Sequence, residues 1–382
     1  MTCFQCADAP SRSRFLGPLV SDLLRKCGSR RLDVLFLSHF DVDHVSGIPA
    51  LIGDGKLKAD TIVLPYVDDL EKVIAFARAA TRDEPIQAFF KDLVVDTVGT
   101  FKNLGANRIL LIDNGDGPPP DAPVTEPISG GPDDLPWKLG SAGEESPEVR
   151  SVGRDSFYVR NGTLDIAATI NEGLQLAWRF VPYVQRAEED AKELFAEIAE
   201  TLLAWDDGSF RRRIRNPEER RKLVTDRARL LGEVYRQAFG NKNATSLSLY
   251  SGPAEPSRVG ATMISPRLKR WHLAKIGWLG TGDAPLRTAA KIDAFETHYS
   301  ELLDSVSTFM FPHHGSIHNS SAKRLISDAD IYVAAAEPER DDWKHPDPHL
   351  RNAVEKAGKR FHHVSSARDS RLEEAMILFC SP

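Results

Sequence analysis

Short apolar, β-branched runs alternate along this chain with stretches of helical period. Residues 60–66 (DTIVLPY), 108–113 (RILLID), 306–311 (VSTFMF) and 329–335 (ADIYVAA) read as strands, apolar enough to be buried on both faces. Further strand-like runs fall at 164–185, 243–253, 275–281, 361–365 and 374–379, the last two expected to close the sheet. Residues 15–26 carry Leu16, Leu19, Val20, Leu23 and Leu24 on one helical face. Helical patterning returns at 69–80, 84–104, 187–205, 217–239 and 287–303. The helix from Pro217 has a clear start, with Asn216 as N-cap and Glu218 and Glu219 in the first turn. Alternation of this kind predicts an α/β (α+β) layer architecture.

One region breaks the pattern. Residues 114–147 are rich in Pro, Gly, Asp and Ser, with PPP at 118–120 and GG at 130–131, which predicts a flexible loop without chemistry of its own. Composition narrows the rest. The 382 residues are 41% hydrophobic, ample for a packed core, and the formal net charge of −6 excludes a global attraction to polyanions. Cys3, Cys6, Cys27 and Cys380 are too scattered for a disulfide framework, and the lone CxxC at Cys3 and Cys6 has no second pair. No stretch has the length of a membrane span and no signal-peptide pattern opens the chain, so a cytoplasmic protein without membrane contact is expected.

The densest chemistry lies at 35–51, LFLSHFDVDHVSGIPAL. Four possible metal ligands, His39, Asp41, Asp43 and His44, fall where a buried-type strand gives way to a helix. In extended chain, residues i and i+2 project to one side, so His39 and Asp41 can converge on one ion. Asp43 and His44 follow where the chain turns, and can face the same ion or a second beside it. Two imidazoles and two carboxylates suit a hydrolytic centre, where an ion lowers the pKa of water and polarises the scissile group. The bland alternative is a polar loop with Asp43 as N-cap.

This stretch resembles the HxHxDH signature of the metallo-β-lactamase superfamily in the variant HxDxDH, and looks most like the soluble domain of the bacterial competence protein ComEC. Three later segments strengthen the resemblance. GTGDAPL at 280–286 is similar to the family's LLTGD, implying Asp283 as a carboxylate ligand at a strand end. PHHGSIHNSS at 312–321 matches HHGS; there His313 and His314 both lie near the ions, or one is a ligand and the other contacts substrate. KHPDPHLRNAVEKAG at 344–358 resembles the HPHP-and-helix segment, with His345 in the first position and Asp347 where a histidine often stands. His345 reads equally well as a general acid or phosphate contact and as a simple helix start. His362 and His363 read as strand residues.

The resemblance implies a single domain over 1–382, an αββα sandwich enlarged by a helical insertion at 187–240, with the family's N-terminal strands missing or reduced to the TCFQC segment and the first sheet left with an unpaired edge. It covers roughly 13–66 and 243–379. There is no histidine between His44 and His272, so the third imidazole usual in zinc-dependent members is absent; the matching strand begins with Asn243, Thr245 and Ser246, as in ComEC-like domains. The implied site is therefore rich in oxygen, which suits Mn²⁺ or Mg²⁺, with Zn²⁺ also compatible. His39, Asp41, Asp43, His44, Asp283 and His314 would hold one or two ions, with Asp43, His313 and His345 in proton transfer. Ser316, Asn243 and Ser246 would meet substrate. The implied activity is that of a phosphodiesterase or nuclease acting on DNA; a hydrolase of a small ester, thioester, lactam or cyclic nucleotide is the alternative. The 187–240 helices could instead dock a protein partner, as a subunit of a larger defence assembly would require. The arginines around 211–229 could follow a phosphate backbone or form an ordinary solvated helix face.

Overall fold

The computed structural model describes residues 17–18, 20–25, 31–53, 56–82, 85–114, 119–120, 122, 137–141, 146–170, 174–186, 188–205, 209–239, 245–254, 260–264, 271–273, 275–337 and 345–377. The TCFQC segment, Asn243 and most of 114–147 lie outside these. The chain is a mixed α/β protein that divides into two compact units, one formed by Met1–Thr125, Val149–Val159 and Arg186–Ser246, the other by Glu126–Glu148, Arg160–Gln185 and Leu247–Pro382.

The first unit is built on a five-stranded sheet. Arg31–Phe36, Lys58–Pro65 and Arg108–Asp113 run parallel side by side, and Ser156–Arg160 and Glu148–Gly153 complete the order. Lys58–Pro65 is buried at every position after Lys58, as its unbroken apolar run requires of a central parallel strand. Helix Asp69–Ala79 follows it behind a capping box: Asp68 accepts from the Glu71 backbone N–H, and Glu71 accepts from that of Asp68.

Two helices expected to be continuous are broken. The 84–104 pattern splits into Ala88–Val95 and Thr97–Asn103 because Asp96 leaves helical geometry (φ −144°, ψ 87°) and caps Gly99 with its carboxylate. The 217–239 pattern splits at Arg227 (φ −124°) into Pro217–Asp226 and Ala228–Ala238. The break lets Ala228–Ala238 lie close on Asp69–Ala79, where Gly232 faces the backbone carbonyl of Ala80; a Cβ there would stand 2.6 Å from that oxygen. Phe195, Phe210, Leu231, Val234 and Tyr235 share one core with Phe76 and Phe90. The helices of 187–240 thus close the first unit's own core.

The second unit holds an eight-stranded mixed sheet. Arg360–Val364, Ile331–Ala335, Val306–Met310 and Gly277–Gly280 are mutually parallel; Ser246–Pro253 then pairs antiparallel to Gly277–Gly280. Leu174–Gln185, Gly162–Ile170 and Lys138–Ser141 extend it, the last an unforeseen strand inside the expected loop. A separate three-stranded antiparallel sheet joins Trp271–Leu273, Gly260–Ile264 and Glu373–Ile377. The terminal strand therefore does not close the main sheet, as its sequence suggested, but pairs with Gly260–Ile264. Among the described residues no helix is long and apolar enough to cross a membrane.

Candidate metal centre

In the first unit the ligand-type residues sit directly after a parallel strand. Leu37 continues the pairing of Arg31–Phe36 by donating to the Val63 carbonyl (2.8 Å), and the chain then leaves the sheet at Ser38. Asp41 starts the one-turn helix Val42–Val45, its backbone carbonyl accepting from the N–H groups of His44 and Val45. This tight turn brings His44 back over His39, with ring centroids 3.7 Å apart and a 45° tilt.

Ser38 orients both rings. Its Oγ lies 2.9 Å from His39 Nδ1 and 3.3 Å from His44 Nδ1, and one hydroxyl can donate to one ring while accepting from the other. Both Nε2 atoms are thereby turned away from the serine. Ligand-type atoms of His39 and His44 fall within 4.8 Å of each other, as do those of Asp43 and His44. Two ligands about 2.1 Å from one ion in tetrahedral geometry are about 3.4 Å apart, so a small closing movement suffices for these side chains to share an ion. His39 is 2% exposed, while Asp43 and His44 are half-buried. This His/Asp group has the chemistry and spacing to hold a divalent metal.

Asp41 has a different neighbour. Its carboxylate is ion-paired with the Arg78 guanidinium, from the last turn of Asp69–Ala79, and its Oδ2 also lies 3.5 Å from His39 Nε2. Tyr235 is close enough for the same pair to act on it: burial pushes its phenol up to about 12, with Arg78 drawing it down and Asp41 up. Sequence patterning gave Asp41 to the ion and did not single out Arg78. A signal was there, since Arg78 is the one charge in the apolar run VIAFARAA.

The second unit holds the other motifs. Thr281, after strand Gly277–Gly280, anchors the turn by donating to the Met310 carbonyl (2.7 Å), and Gly282 takes a left-handed conformation (φ 52°) before the buried Asp283. Asn319 ties this turn to the histidine pair: its Nδ2 donates to the Asp283 carbonyl (3.0 Å), which leaves Oδ1 facing His313 Nδ1 (2.9 Å). His314 Nδ1 donates to the Ala335 carbonyl (2.8 Å). In both rings Nδ1 therefore carries the proton and the neutral form presents its lone pair at Nε2, the arrangement metal-binding histidines adopt. Asn319 escaped sequence reading because its role depends on a turn six residues from His313.

His313 (φ 47°), His314 (φ 60°) and Gly315 (φ 80°) are left-handed in succession. Glycine is required at 315 twice over, since a Cβ would meet Pro346 Cβ at 2.9 Å and Ala334 Cβ at 3.0 Å. The His345 ring lies 5.8 Å from that of His313 and is parallel to His314 at 6.4 Å. Burial, followed by the proximity of His313 and His314, lowers its pKa to about 4. At neutral pH it is an uncharged N–H donor and acceptor.

The remaining candidates serve the scaffold. Ser316 is buried and accepts from the His318 N–H within the turn. Ser246 is fully buried in its strand, and Thr245 donates to Glu71 (2.6 Å). Asp347 caps helix Pro348–Lys356 through the His349 N–H (2.8 Å). His362 and His363 hold strand carbonyls, as expected of strand residues. Four arginines of the basic cluster make contacts within the first unit: Arg211 pairs with Glu193, Arg221 with Asp92, Arg220 binds Asp69 and the Val95 carbonyl, and Arg213 lies over Trp205. That is the ordinary helix-face reading.

Comparison with family models, curated proteins and solved structures finds no match to this chain.

Proposed function

We propose that this protein is a metal-dependent hydrolase of the metallo-β-lactamase type, closest in its motifs to the ComEC-like branch, and that it cleaves phosphodiester bonds, with DNA as the substrate class. The observation that carries the reading is the His39–His44 pair at the end of a parallel strand, with Asp43 beside His44 and both imidazoles oriented through Nδ1 by one serine. The carbonyl-anchored Nδ1 atoms of His313 and His314 support it independently. The resemblance implies that Asp283 and His314 supply further ligands and that the layers form an αββα sandwich.

A bound Mn²⁺, Zn²⁺ or Mg²⁺ would lower the pKa of water and draw charge from the phosphoryl oxygens. Asp43, half-buried beside His44, accepts the proton of the attacking water as the new P–O bond forms. The neutral His345 donates a hydrogen bond to a phosphoryl oxygen, and His313, whose Nδ1–H is held by Asn319, offers its Nε2 lone pair as an acceptor. Breaking the opposite P–O bond yields an alkoxide, which takes its proton from solvent.

Purified protein with added Mn²⁺ is expected to degrade single- or double-stranded DNA, and Asp43→Ala or Asp283→Ala to abolish cleavage. Undiminished cleavage by both variants would remove the assignment. A second reading, hydrolysis of a small phosphodiester or ester, draws support from the net charge of −6, which supplies no general attraction to a polyanion. A cyclic nucleotide and a chromogenic ester assayed beside DNA separate the two.

A further inference from the structure

Asp41 is the point at which the motif departs from its usual histidine, and the structure couples that departure to Arg78. The carboxylate is only 5% exposed and its Oδ2 is shared between the Arg78 guanidinium and a position 3.5 Å from His39 Nε2. Arg78 reaches it from Asp69–Ala79, a helix fixed at its start by the Asp68–Glu71 capping box and held along its length by the Ala228–Ala238 helix against Gly232. The guanidinium cannot lose its charge in a protein and presents a rigid planar fork of donors. A divalent ion bound through the same carboxylate would face that fixed positive charge across one side chain, in surroundings where screening is poor.

We propose that Arg78 serves as the second cation of this centre, so that Asp41 is its counter-ion and the chain holds a single divalent ion at the His39–His44 pair. This rests on the metal-hydrolase reading and deepens it. Replacing histidine by aspartate then has a physical purpose: a neutral imidazole could not neutralise the half-buried arginine. A permanently charged guanidinium beside one ion also suits a substrate carrying negative charge, such as a phosphodiester, more than a neutral lactam.

The test is metal stoichiometry of the full chain, stripped by chelation and titrated calorimetrically with Mn²⁺ and with Zn²⁺, with far-ultraviolet circular dichroism as the folding control. Wild type is expected to bind one ion per chain. Asp41→Asn should still bind one ion, with lower affinity, because the Arg78 charge is then left uncompensated beside it. Arg78→Met should take up a second ion through the released Asp41, and the Arg78→Met/Asp41→Asn double variant should return to one. Two ions on the wild type would overturn the inference while leaving the hydrolase reading intact; no ion at all would overturn both. A loss of roughly tenfold or more in affinity for the double variant, which has no guanidinium charge left to repel the ion, would make Asp41 a ligand and refute the inference. So would a folded Arg78→Met variant that still binds only one ion. If Arg78→Met does not fold, the wild-type stoichiometry still decides.

Discussion

Replacing Arg186 with methionine should destabilise the first unit. The guanidinium grips Asp113 with two contacts, Nη2 to Oδ2 at 2.8 Å and Nε to Oδ1 at 3.2 Å, and stands 3.9 Å from Glu71. Asp113 is 1% exposed at the end of a parallel strand. Without Arg186 its carboxylate would still accept from the Tyr158 hydroxyl (2.7 Å) and the Asn114 backbone N–H (2.9 Å). Breaking a buried pair from one side costs about 3–5 kcal/mol, and these retained donors place this case near 3 kcal/mol. Methionine fills most of the arginine stem's volume, so the cost is electrostatic and not a cavity. Adding Asp113→Asn should therefore recover about 2 kcal/mol, because a neutral amide still accepts from Tyr158 and no buried charge is left alone. Urea denaturation followed through tryptophan fluorescence measures both variants. If Arg186→Met costs under about 1 kcal/mol, or if the second substitution deepens the loss, the pair is not a desolvated ion bridge and the reasoning fails.

Two further outcomes follow from packing and burial. Gly232→Ala ordinarily gains helix stability, yet here the new Cβ meets the Ala80 carbonyl at 2.6 Å, so a net loss of about 1–3 kcal/mol is expected in thermal denaturation. His298, packed on Tyr183 and Tyr299, has its pKa lowered by burial to about 4. The unfolded chain binds the proton more tightly, so the stabilising difference is complete above pH 6.5, declines as pH falls toward 4, and is worth about 3 kcal/mol at most; His298→Phe should flatten the stability profile across that window.

Much of the scaffold was readable because parallel strands buried on both faces must be continuous apolar runs, as in TIVLPY, VSTFM and IYVAA. Helix breaks were not, because apolar periodicity runs on through Asp96 and Arg227 while the backbone turns there. Lys138–Ser141 hid in a Pro/Gly-rich stretch, and the partner of Glu373–Ile377 lies over a hundred residues away, beyond any local pattern. The candidate site divides along the same line. Spacing revealed His39, Asp43, His44 and the His313–His314 pair, whereas Ser38, Asn319 and Arg78 act through contacts that only the folded chain creates. Arg78 also removes one carboxylate from the oxygen-rich set that the sequence suggested, if Asp41 is its counter-ion.

The two units are threaded through each other along the chain, the first returning at Val149–Val159 and again at Arg186–Ser246. A ribosome therefore delivers the helix Asp69–Ala79 long before Ala228–Ala238, whose Leu231, Val234 and Tyr235 share its core. At about 5–20 residues per second the intervening stretch takes on the order of ten seconds to emerge, during which Phe76 and its neighbours lack that cover. The same threading means that no single cut releases either unit. Gene fusion or exchange would have to move both together, and the nascent chain is the state in which this protein is most open to chaperones and proteases.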